Sequence, residues 1–251
     1  VFGLDAASQL TLDLARRGIG FRFGTQAWPC PVVPAAILFD LANGGDKRWD
    51  EPPYRRLASA ALAAAAADFA LGNAGAGAGA IAGAVKGGLG SASATADGVT
   101  VGALVAVNSV GAWFDPATGL PWAAAHAVDD EMGPLEALPL VPPQLGQRKH
   151  DTMAAAARPG ANTTIAVVAS NAVLSKAEAR HVAVMAQDGL ARAIRPVHTP
   201  FDGDTVFMLA TGRLAVAGPR PRLVARVGAL AADCLARAVA RGVYLAEGWE
   251  G

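Results

Sequence analysis

The chain has 251 residues, 53% of them hydrophobic, and its 21 basic residues balance its 21 acidic residues. A chain of this length and composition can bury a large core, so we predict a single compact domain. The balanced charge excludes a general electrostatic attraction to nucleic acid or to an anionic membrane surface. Cys30 and Cys234 lie far apart and predict two buried, reduced thiols. With no secretory signal recognised, a cytoplasmic location is expected.

The first part of the chain predicts two helices with a short apolar strand between them. Residues 4–17 carry spaced leucines and end before a glycine, as an amphipathic helix does. Residues 32–41 (VVPAAILFDL) form an apolar run typical of an interior strand or of a segment that packs against a sheet. A second helix is predicted from Tyr54 to Leu71. Its Ala-rich part contains Asp68 and falls short of the roughly 20 residues that cross a bilayer, so we interpret it as a buried helix.

The rest of the chain mixes strands and helices, which predicts an α/β or α+β fold. The glycine–alanine tract at 72–94 predicts backbone that other segments approach closely, and its loose match to a dinucleotide-binding motif is weak. Ser175 and Glu178 predict a capping box at the start of a helix. The remaining elements are a strand and hairpin over 97–119, a proline-rich surface linker over 121–161, a strand from 163, a strand over 204–212 and a final helix after Pro219 and Pro221.

Lys86 is the only charged residue between Asp68 and Asp97. A lysine in so apolar a segment costs free energy unless its ammonium group reaches solvent or finds an acidic partner. Two interpretations therefore stand side by side: a side chain that extends to water, and an active-site lysine paired with a carboxylate.

Asp202 and Asp204 flank one glycine directly before a predicted strand. Two carboxylates in this arrangement can orient an amine, share a proton or bind a cation. The alternative is an ordinary Asp-Gly turn with solvated carboxylates. His198 can act with a nucleophile, although a structural histidine at a loop end is the commoner case. The sequence contains neither H-E-x-x-H nor C-x-x-C, so a zinc site has no support in it.

The segment GANTTIAVVASNA (160–172) singles out Thr163, since the chain has no G-x-S-x-G motif of a serine hydrolase. A threonine hydroxyl needs a neighbouring base, and its own α-amino group becomes one when the bond between Asn162 and Thr163 is cut. The linker would let residue 162 leave, and the strand would hold Thr163 while Thr164 points to the opposite face. The plainer interpretation is a polar junction between a linker and a strand.

Several segments taken in order resemble one family. They are FGLDAA (2–7), VPAAILFDL (33–41), GAGAGAIAGAVKGGLGSAS (75–93), GVTVGALVAVNSVG (98–111), GANTTIAVVASNA (160–172) and the run from SKAEARH to FDGDTVFMLATG (175–212). Together they are similar to the DmpA family of self-cleaving aminopeptidases and β-peptidases, which includes the nylon-oligomer hydrolase (NylC). The resemblance implies an α+β fold, a four-layer αββα sandwich of the type shared with ornithine acetyltransferase and resembling the N-terminal-nucleophile hydrolases.

The resemblance also implies a function and its residues. The precursor would cut itself after Asn162 into a large-subunit portion, 1–162 with a linker at about 121–162, and a small subunit, 163–251. Thr163 would be the nucleophile, Asp202 and Asp204 would orient it, and Lys86 would offset their charge. The Asn108 amide would stabilise the tetrahedral oxyanion. The substrates would be short peptides or ω-amino acid oligomers, with no metal or organic cofactor and with assembly into a homotetramer.

Two departures from the family pattern concern the start of the chain. Phe2 stands where some members have a tyrosine that lines the substrate pocket. Members also carry further residues before FGLDAA, so we expect the N-terminal part to be missing here and part of the central sheet to be open. Two alternatives remain: an acyltransferase of the ornithine acetyltransferase type, and a non-catalytic, degenerate member of the family.

Overall fold

The computed structural model describes residues 3–132 and 162–247. These residues combine helices with a mixed β-sheet, which confirms the predicted α+β class. The chain divides into two compact units, one made of residues up to Ile37 together with Gly45–Phe69, the other of Leu38–Gly44 together with the chain from Ala70 onward. The single domain expected from the length stays a prediction.

The first unit contains helices α1 (Leu4–Arg16) and α2 (Tyr54–Ala63). The two helices are joined by a hydrogen bond of 2.6 Å from the Ser59 hydroxyl to Asp13. Helix α1 agrees with the prediction, whereas α2 ends eight residues before the predicted Leu71. The alanines that follow, 64–67, are exposed, and methyl groups alone bury too little apolar area to hold a further helical turn against a core.

The predicted strand at 32–41 is wrong, because this segment has no regular secondary structure. Pro31 and Pro34 lack the N–H groups that a strand ladder needs. The end of the segment belongs to the second unit, where the carbonyl of Phe39 accepts a hydrogen bond from a side chain instead of from a neighbouring strand.

A four-stranded sheet forms the centre of the second unit. A short hairpin of β1 (Ile81–Ala82) and β2 (Val85–Lys86) precedes it. The strands of the sheet are β3 (Gly88–Ala96), β4 (Val99–Asn108), β5 (Thr163–Ala172) and β6 (Thr205–Leu214). Their order is β3-β4-β5-β6, antiparallel between the first three strands and parallel between β5 and β6.

Helices α3 (Lys176–Ala193) and α4 (Arg220–Tyr244) complete the second unit and share its hydrophobic core with the sheet. The predicted capping box of Ser175 and Glu178 starts α3. Glycines of the glycine–alanine tract let α4 approach the sheet, since a Cβ on Gly90 would collide with the carbonyl of Ala238. The interpretation of this tract as closely packed backbone is therefore confirmed.

The first part of the predicted surface linker is packed into the second unit. Ala123 and Met132 are buried, and Glu131 forms an ion pair with Arg237 of α4 at 2.6 Å. The rest of the predicted linker, up to residue 161, lies outside the described residues. Both cysteines are free, but Cys30 is exposed, so its predicted burial is wrong; burial raises the pKa of the Cys234 thiol to about 11. Within 3–132 and 162–247, no helix is long and apolar enough to span a membrane.

Candidate active site

Thr163 opens strand β5 at the point where β4 ends. Its antiparallel partner is Asn108, the last residue of β4, and the Cα atoms of such partners lie about 4.5–5.5 Å apart. The two residues are almost fully buried, with 3% and 0% of their surfaces exposed. Thr164 pairs with Val107 of the hydrophobic core and points to the other face of the sheet, as predicted.

The peptide group between Asn162 and Thr163 is held in a defined orientation. The Thr163 hydroxyl donates a hydrogen bond of 2.5 Å to the carbonyl oxygen of Asn162. The backbone N–H of Gly203 donates to the same oxygen at 2.8 Å. The Thr163 hydroxyl and the Asn162 carbonyl are thus adjacent, and the carbonyl oxygen accepts two hydrogen bonds.

The loop at 198–204 brings both predicted carboxylates to this peptide. Asp204 accepts a hydrogen bond of 2.8 Å from the Thr164 N–H, and Asp202 accepts one of 3.1 Å from the Val110 N–H. Asp202 also accepts a hydrogen bond of 2.6 Å from the Thr199 hydroxyl. The interpretation as a solvated Asp-Gly turn is wrong, because the Asp204 side chain is only 4% exposed and both carboxylates are bonded to backbone.

Asp204 is electrostatically perturbed. Burial raises the pKa of its carboxyl group, and the negative charge of Asp202 raises it further. Hydrogen bonds from backbone N–H groups and the neighbouring His198 oppose this rise. The Nδ1 atom of His198 lies 2.8 Å from the Asp204 carboxylate, and the His198 N–H donates to the same oxygen at 3.2 Å. His198 therefore contacts a candidate site residue rather than only ending a loop.

The Asn108 side chain is embedded in polar contacts. Its Oδ1 accepts hydrogen bonds from the Ile81 N–H at 3.0 Å and from the Asn43 amide at 2.9 Å. Its Nδ2 donates to the carbonyl of Phe39 at 2.9 Å. The side chain therefore has a fixed direction beside Thr163.

Lys86 lies in a cradle of backbone carbonyls formed by the glycine–alanine tract. Its ammonium group donates to Gly77 at 2.6 Å, to Gly87 at 3.0 Å and to Ala80 at 3.1 Å. Burial lowers the pKa of this lysine, and the negative charge of Asp40 partly opposes the effect. The side chain is therefore half-buried and bonded to the protein instead of extending to solvent. Ala80 is followed by Ile81, which binds Asn108, so the cradle adjoins the site.

The described structure brings together the polar residues that the sequence singled out and adds others. Thr163, Asn108, Asp202 and Asp204 meet at one end of the sheet, with Lys86 connected through Ala80 and Ile81. Phe2 lies outside the described residues. Sequence reasoning missed Asn43 and Gly203. The only local signal for Asn43 was its place before two glycines, and the one for Gly203 was its place between two aspartates.

Comparison with known proteins bears on the family and on the fold. The model of peptidase family S58 matches residues 6–251. Proteins named uncharacterized aminopeptidases from Mycobacterium bovis and Mycobacterium tuberculosis are each 47% identical over 260 residues, covering 98% of this chain and 72% of their own length. A 6-aminohexanoate-oligomer endohydrolase from a Kocuria species is 28% identical, over 85% of this chain and 58% of its own.

Two solved structures share the fold at low sequence identity. The L-aminopeptidase D-Ala-esterase/amidase of Ochrobactrum anthropi, described as a variant of the N-terminal-nucleophile hydrolase fold, matches 97% of this chain with a TM-score of 0.65 and 20% identity. A Burkholderia β-aminopeptidase matches 95% with a TM-score of 0.60 and 20% identity. The chain spans 64% and 62% of the length of these two proteins. The likeness confirms the predicted type of layered α+β fold.

Proposed function

The chain belongs to peptidase family S58, and on that premise we propose that it is a self-processing amidohydrolase whose nucleophile is Thr163. Cleavage after Asn162 would give fragments 1–162 and 163–251. One observation carries this proposal: the buried Thr163 hydroxyl lies 2.5 Å from the carbonyl oxygen of Asn162, and the Gly203 N–H donates to that same oxygen.

In the self-cleavage step, Oγ1 of Thr163 attacks the carbonyl carbon of Asn162 and loses its proton to a neighbouring base. The carbonyl oxygen becomes an oxyanion, which the Gly203 N–H stabilises. The bond from this carbon to the Thr163 nitrogen then breaks as the nitrogen gains a proton, which leaves an ester. Water hydrolyses the ester, releasing the carboxylate of Asn162 and freeing both the hydroxyl and the amine of Thr163.

The side chain of Asn162 favours the departure of the cleaved end. Asn162 is 6% exposed, and among the described residues no donor lies within hydrogen-bond distance of its buried Oδ1. An unsatisfied buried acceptor costs the folded state about 1–3 kcal/mol. This cost disappears once the new C-terminus moves into solvent. The unsatisfied oxygen therefore raises the free energy of the uncut chain relative to the cleaved one.

During turnover the free α-amino group of Thr163 would act as the general base. Its ordinary pKa of about 8 suits proton transfer near neutral pH. Oγ1 attacks the substrate carbonyl, the amine takes the hydroxyl proton and passes it to the leaving amine, and an acyl-enzyme forms. The Asn108 amide would donate to the oxyanion. Water attacks the ester by the reverse proton route and regenerates the hydroxyl.

The carboxylates and the lysine would set the electrostatics of this chemistry. Asp204 is bonded to the backbone N–H of Thr164, so it holds the residue next to the nucleophile. The negative charge of Asp202 helps to raise the pKa of Asp204, so the ionisation of Asp204 depends on its neighbour. The positive charge of Lys86 would offset their negative charge and that of Asp40.

For the substrate class, we propose short peptides or ω-amino acid oligomers with a free amino group. The acidic pair beside Thr163 suits a cationic amine. The names of the relatives, aminopeptidases and a 6-aminohexanoate-oligomer endohydrolase, support the same class. The homotetramer and the cytoplasmic location stay predictions, which sedimentation and cell fractionation can test.

N-terminal sequencing of the purified protein tests the proposal. The expected result is a smaller fragment that begins at Thr163, in a preparation that releases p-nitroaniline from aminoacyl anilides. Acetyl transfer to ornithine without anilide hydrolysis would instead show an acyltransferase. A single uncut chain with neither activity would show the non-catalytic alternative.

A further inference from the structure

We propose that Asn43 is a positioning residue of the candidate active site, which fixes the Asn108 amide in the direction that oxyanion stabilisation requires. This inference rests on the proposed function, because it concerns the donor that would bind the oxyanion. Asn43 would act through Asn108, to whose Oδ1 its side-chain amide donates a hydrogen bond of 2.9 Å.

Backbone groups determine which end of each amide is which. The Ile81 N–H can only donate, so the atom of Asn108 that it meets must be Oδ1. The Phe39 carbonyl can only accept, so the other end must be Nδ2. The Gly79 carbonyl likewise requires that Asn43 present its Nδ2, which donates to Gly79 at 3.0 Å and to Asn108 Oδ1 at 2.9 Å. The two amides therefore have one consistent orientation, without a free choice of flip.

Asn43 is placed for this contact by a turn. Its N–H donates to the carbonyl of Asp40 at 2.9 Å, and Gly44 and Gly45 follow with φ of 39° and 79°, values that favour glycine. The resulting segment, Phe39–Asn43, meets Asn108 from both ends: the Phe39 carbonyl binds Nδ2 and the Asn43 amide binds Oδ1. Asn43 itself is 5% exposed, so its amide works in a medium where a hydrogen bond is strong.

The bond from Asn43 has two physical effects on Asn108. It gives the carbonyl end a second donor, which restricts the side-chain torsions of Asn108, the residue paired with Thr163 in the sheet. It also draws electron density towards Oδ1, which makes the N–H groups of Nδ2 better donors to a developing negative charge. Both effects are worth most in the transition state, so they should act on kcat more than on KM.

The test compares Asn43→Asp with a matched control. Aspartate has the same shape but sets an acceptor against Asn108 Oδ1, so we expect kcat for an aminoacyl anilide to fall about tenfold or more, which is less than loss of the oxyanion donor itself, while KM changes little. Asn171→Asp is the control. Like Asn108, Asn171 accepts a hydrogen bond from a backbone N–H, that of Thr100, and donates one to a backbone carbonyl, that of Gly98. It should leave both kinetic constants unchanged.

A double-mutant cycle separates positioning from a general structural role. If Asn43 acts through Asn108, then Asn43→Asp should lower kcat little further in a chain that already carries Asn108→Ala. An equal loss in both backgrounds would overturn the inference, and so would an unchanged kcat of Asn43→Asp in the otherwise native chain. Should Asn43→Asp fail to fold, Asn43→Ser serves in both arms, since it removes the bond to Asn108 without adding charge.

A second readout does not depend on activity. In ¹H–¹⁵N spectra of the side-chain amides, Asn43→Asp should shift the Asn108 resonances, whereas Asn171→Asp should not. Unmoved Asn108 resonances would contradict the inference. An inactive wild-type protein would defeat the proposed function, while an active wild type with normal Asn43→Asp kinetics would defeat this inference alone.

Discussion

The two ends of the β4–β5 strand pair use the same kinds of residues in different ways. At one end Thr163 lies opposite Asn108, and at the other Thr100 and Ser170 lie beside Asn171. Each end has an asparagine bonded to one backbone N–H and one carbonyl. Asn108, however, is fully buried and also meets Asn43, 65 residues away in sequence, whereas the bonds of Asn171 are exposed.

The residue types are therefore not what distinguishes the candidate active site from a solvated strand end. The two ends differ because several segments distant in sequence converge on one of them only. At the Thr163 end, the turn at 39–43, the lysine cradle and the loop at 198–204 all close over one pair of residues. At the Asn171 end the polar contacts join neighbouring strands and only support the ladder.

The largest effect is expected for Thr163→Ala. Without the hydroxyl, neither the attack on Asn162 nor the attack on substrate can occur, so we expect uncut protein and at least about a thousandfold loss of kcat/KM. Gel electrophoresis detects the uncut chain, and an anilide assay measures kcat/KM. As reference, Thr95→Ala removes a hydroxyl bonded to that of Thr100 near the other end, and cleavage and activity should persist. Full activity of Thr163→Ala would show that Thr163 is not the nucleophile.

Asn108→Ala should come next. Loss of a buried oxyanion donor lowers kcat about a hundred- to a thousandfold. Asn171→Ala, which removes the corresponding amide at the exposed end, should change kcat by less than a factor of about two, since surface substitutions have small effects. Steady-state kinetics measures kcat of both variants, and a thermal unfolding curve checks that Asn108→Ala remains folded. Equal effects of the two substitutions would remove the distinction between the ends.

Gly203→Ala should slow self-cleavage. A Cβ at this position would lie 3.1 Å from the Thr163 hydroxyl, which is closer than ordinary contact, so the hydroxyl must shift. Misplacement of a reacting atom by about 1 Å costs about a hundredfold in rate, so we expect this smaller shift to cost about tenfold. Gly102→Ala, in the middle of β4, is the control, because its Cβ would find its nearest neighbour at 3.8 Å. The rate at which the uncut chain is converted into its two fragments is followed on a gel for both variants. Equal rates would contradict the expected displacement of the Thr163 hydroxyl by the new Cβ.

The smallest effect concerns pH. Burial raises the pKa of Asp204, so a step that needs the ionised carboxylate should be lost, as pH falls, at a higher pH than for an ordinary aspartate. His198→Ala removes a group that favours ionisation and should move this acid limb to still higher pH, while the maximal rate falls by less than about tenfold. The pH profile of kcat/KM provides the check; an acid limb that moves to lower pH would be the wrong sign.

The sequence predicted the regular elements well where a local pattern determines them. The capping box of Ser175 and Glu178 and the apolar strand after Thr163 are examples, since propensity and core packing agree there. The predictions failed where tertiary contacts determine the secondary structure. The apolar run at 32–41 looks like a strand, yet its end turns to bind Asn108, and the alanines after Ala63 have helix propensity but bury no face.

The candidate site was predicted in part for the same reason. Local patterns singled out Lys86, Thr163 and the pair Asp202 and Asp204, but left alternatives open for each. Only the resemblance to one family joined them into a site and added Asn108. Asn43 and Gly203 contribute a side-chain amide and a backbone N–H to hydrogen bonds that only the folded chain creates. No local sequence pattern encodes such a contact between segments tens of residues apart.

Mass spectrometry of the protein quenched during turnover of an amide or ester substrate tests the central claim most directly. The account predicts two polypeptides, with the acyl group of the substrate attached to the fragment that begins at Thr163 and located on that residue. A single unbroken chain that hydrolyses the substrate, or an acyl group on another residue, would contradict it.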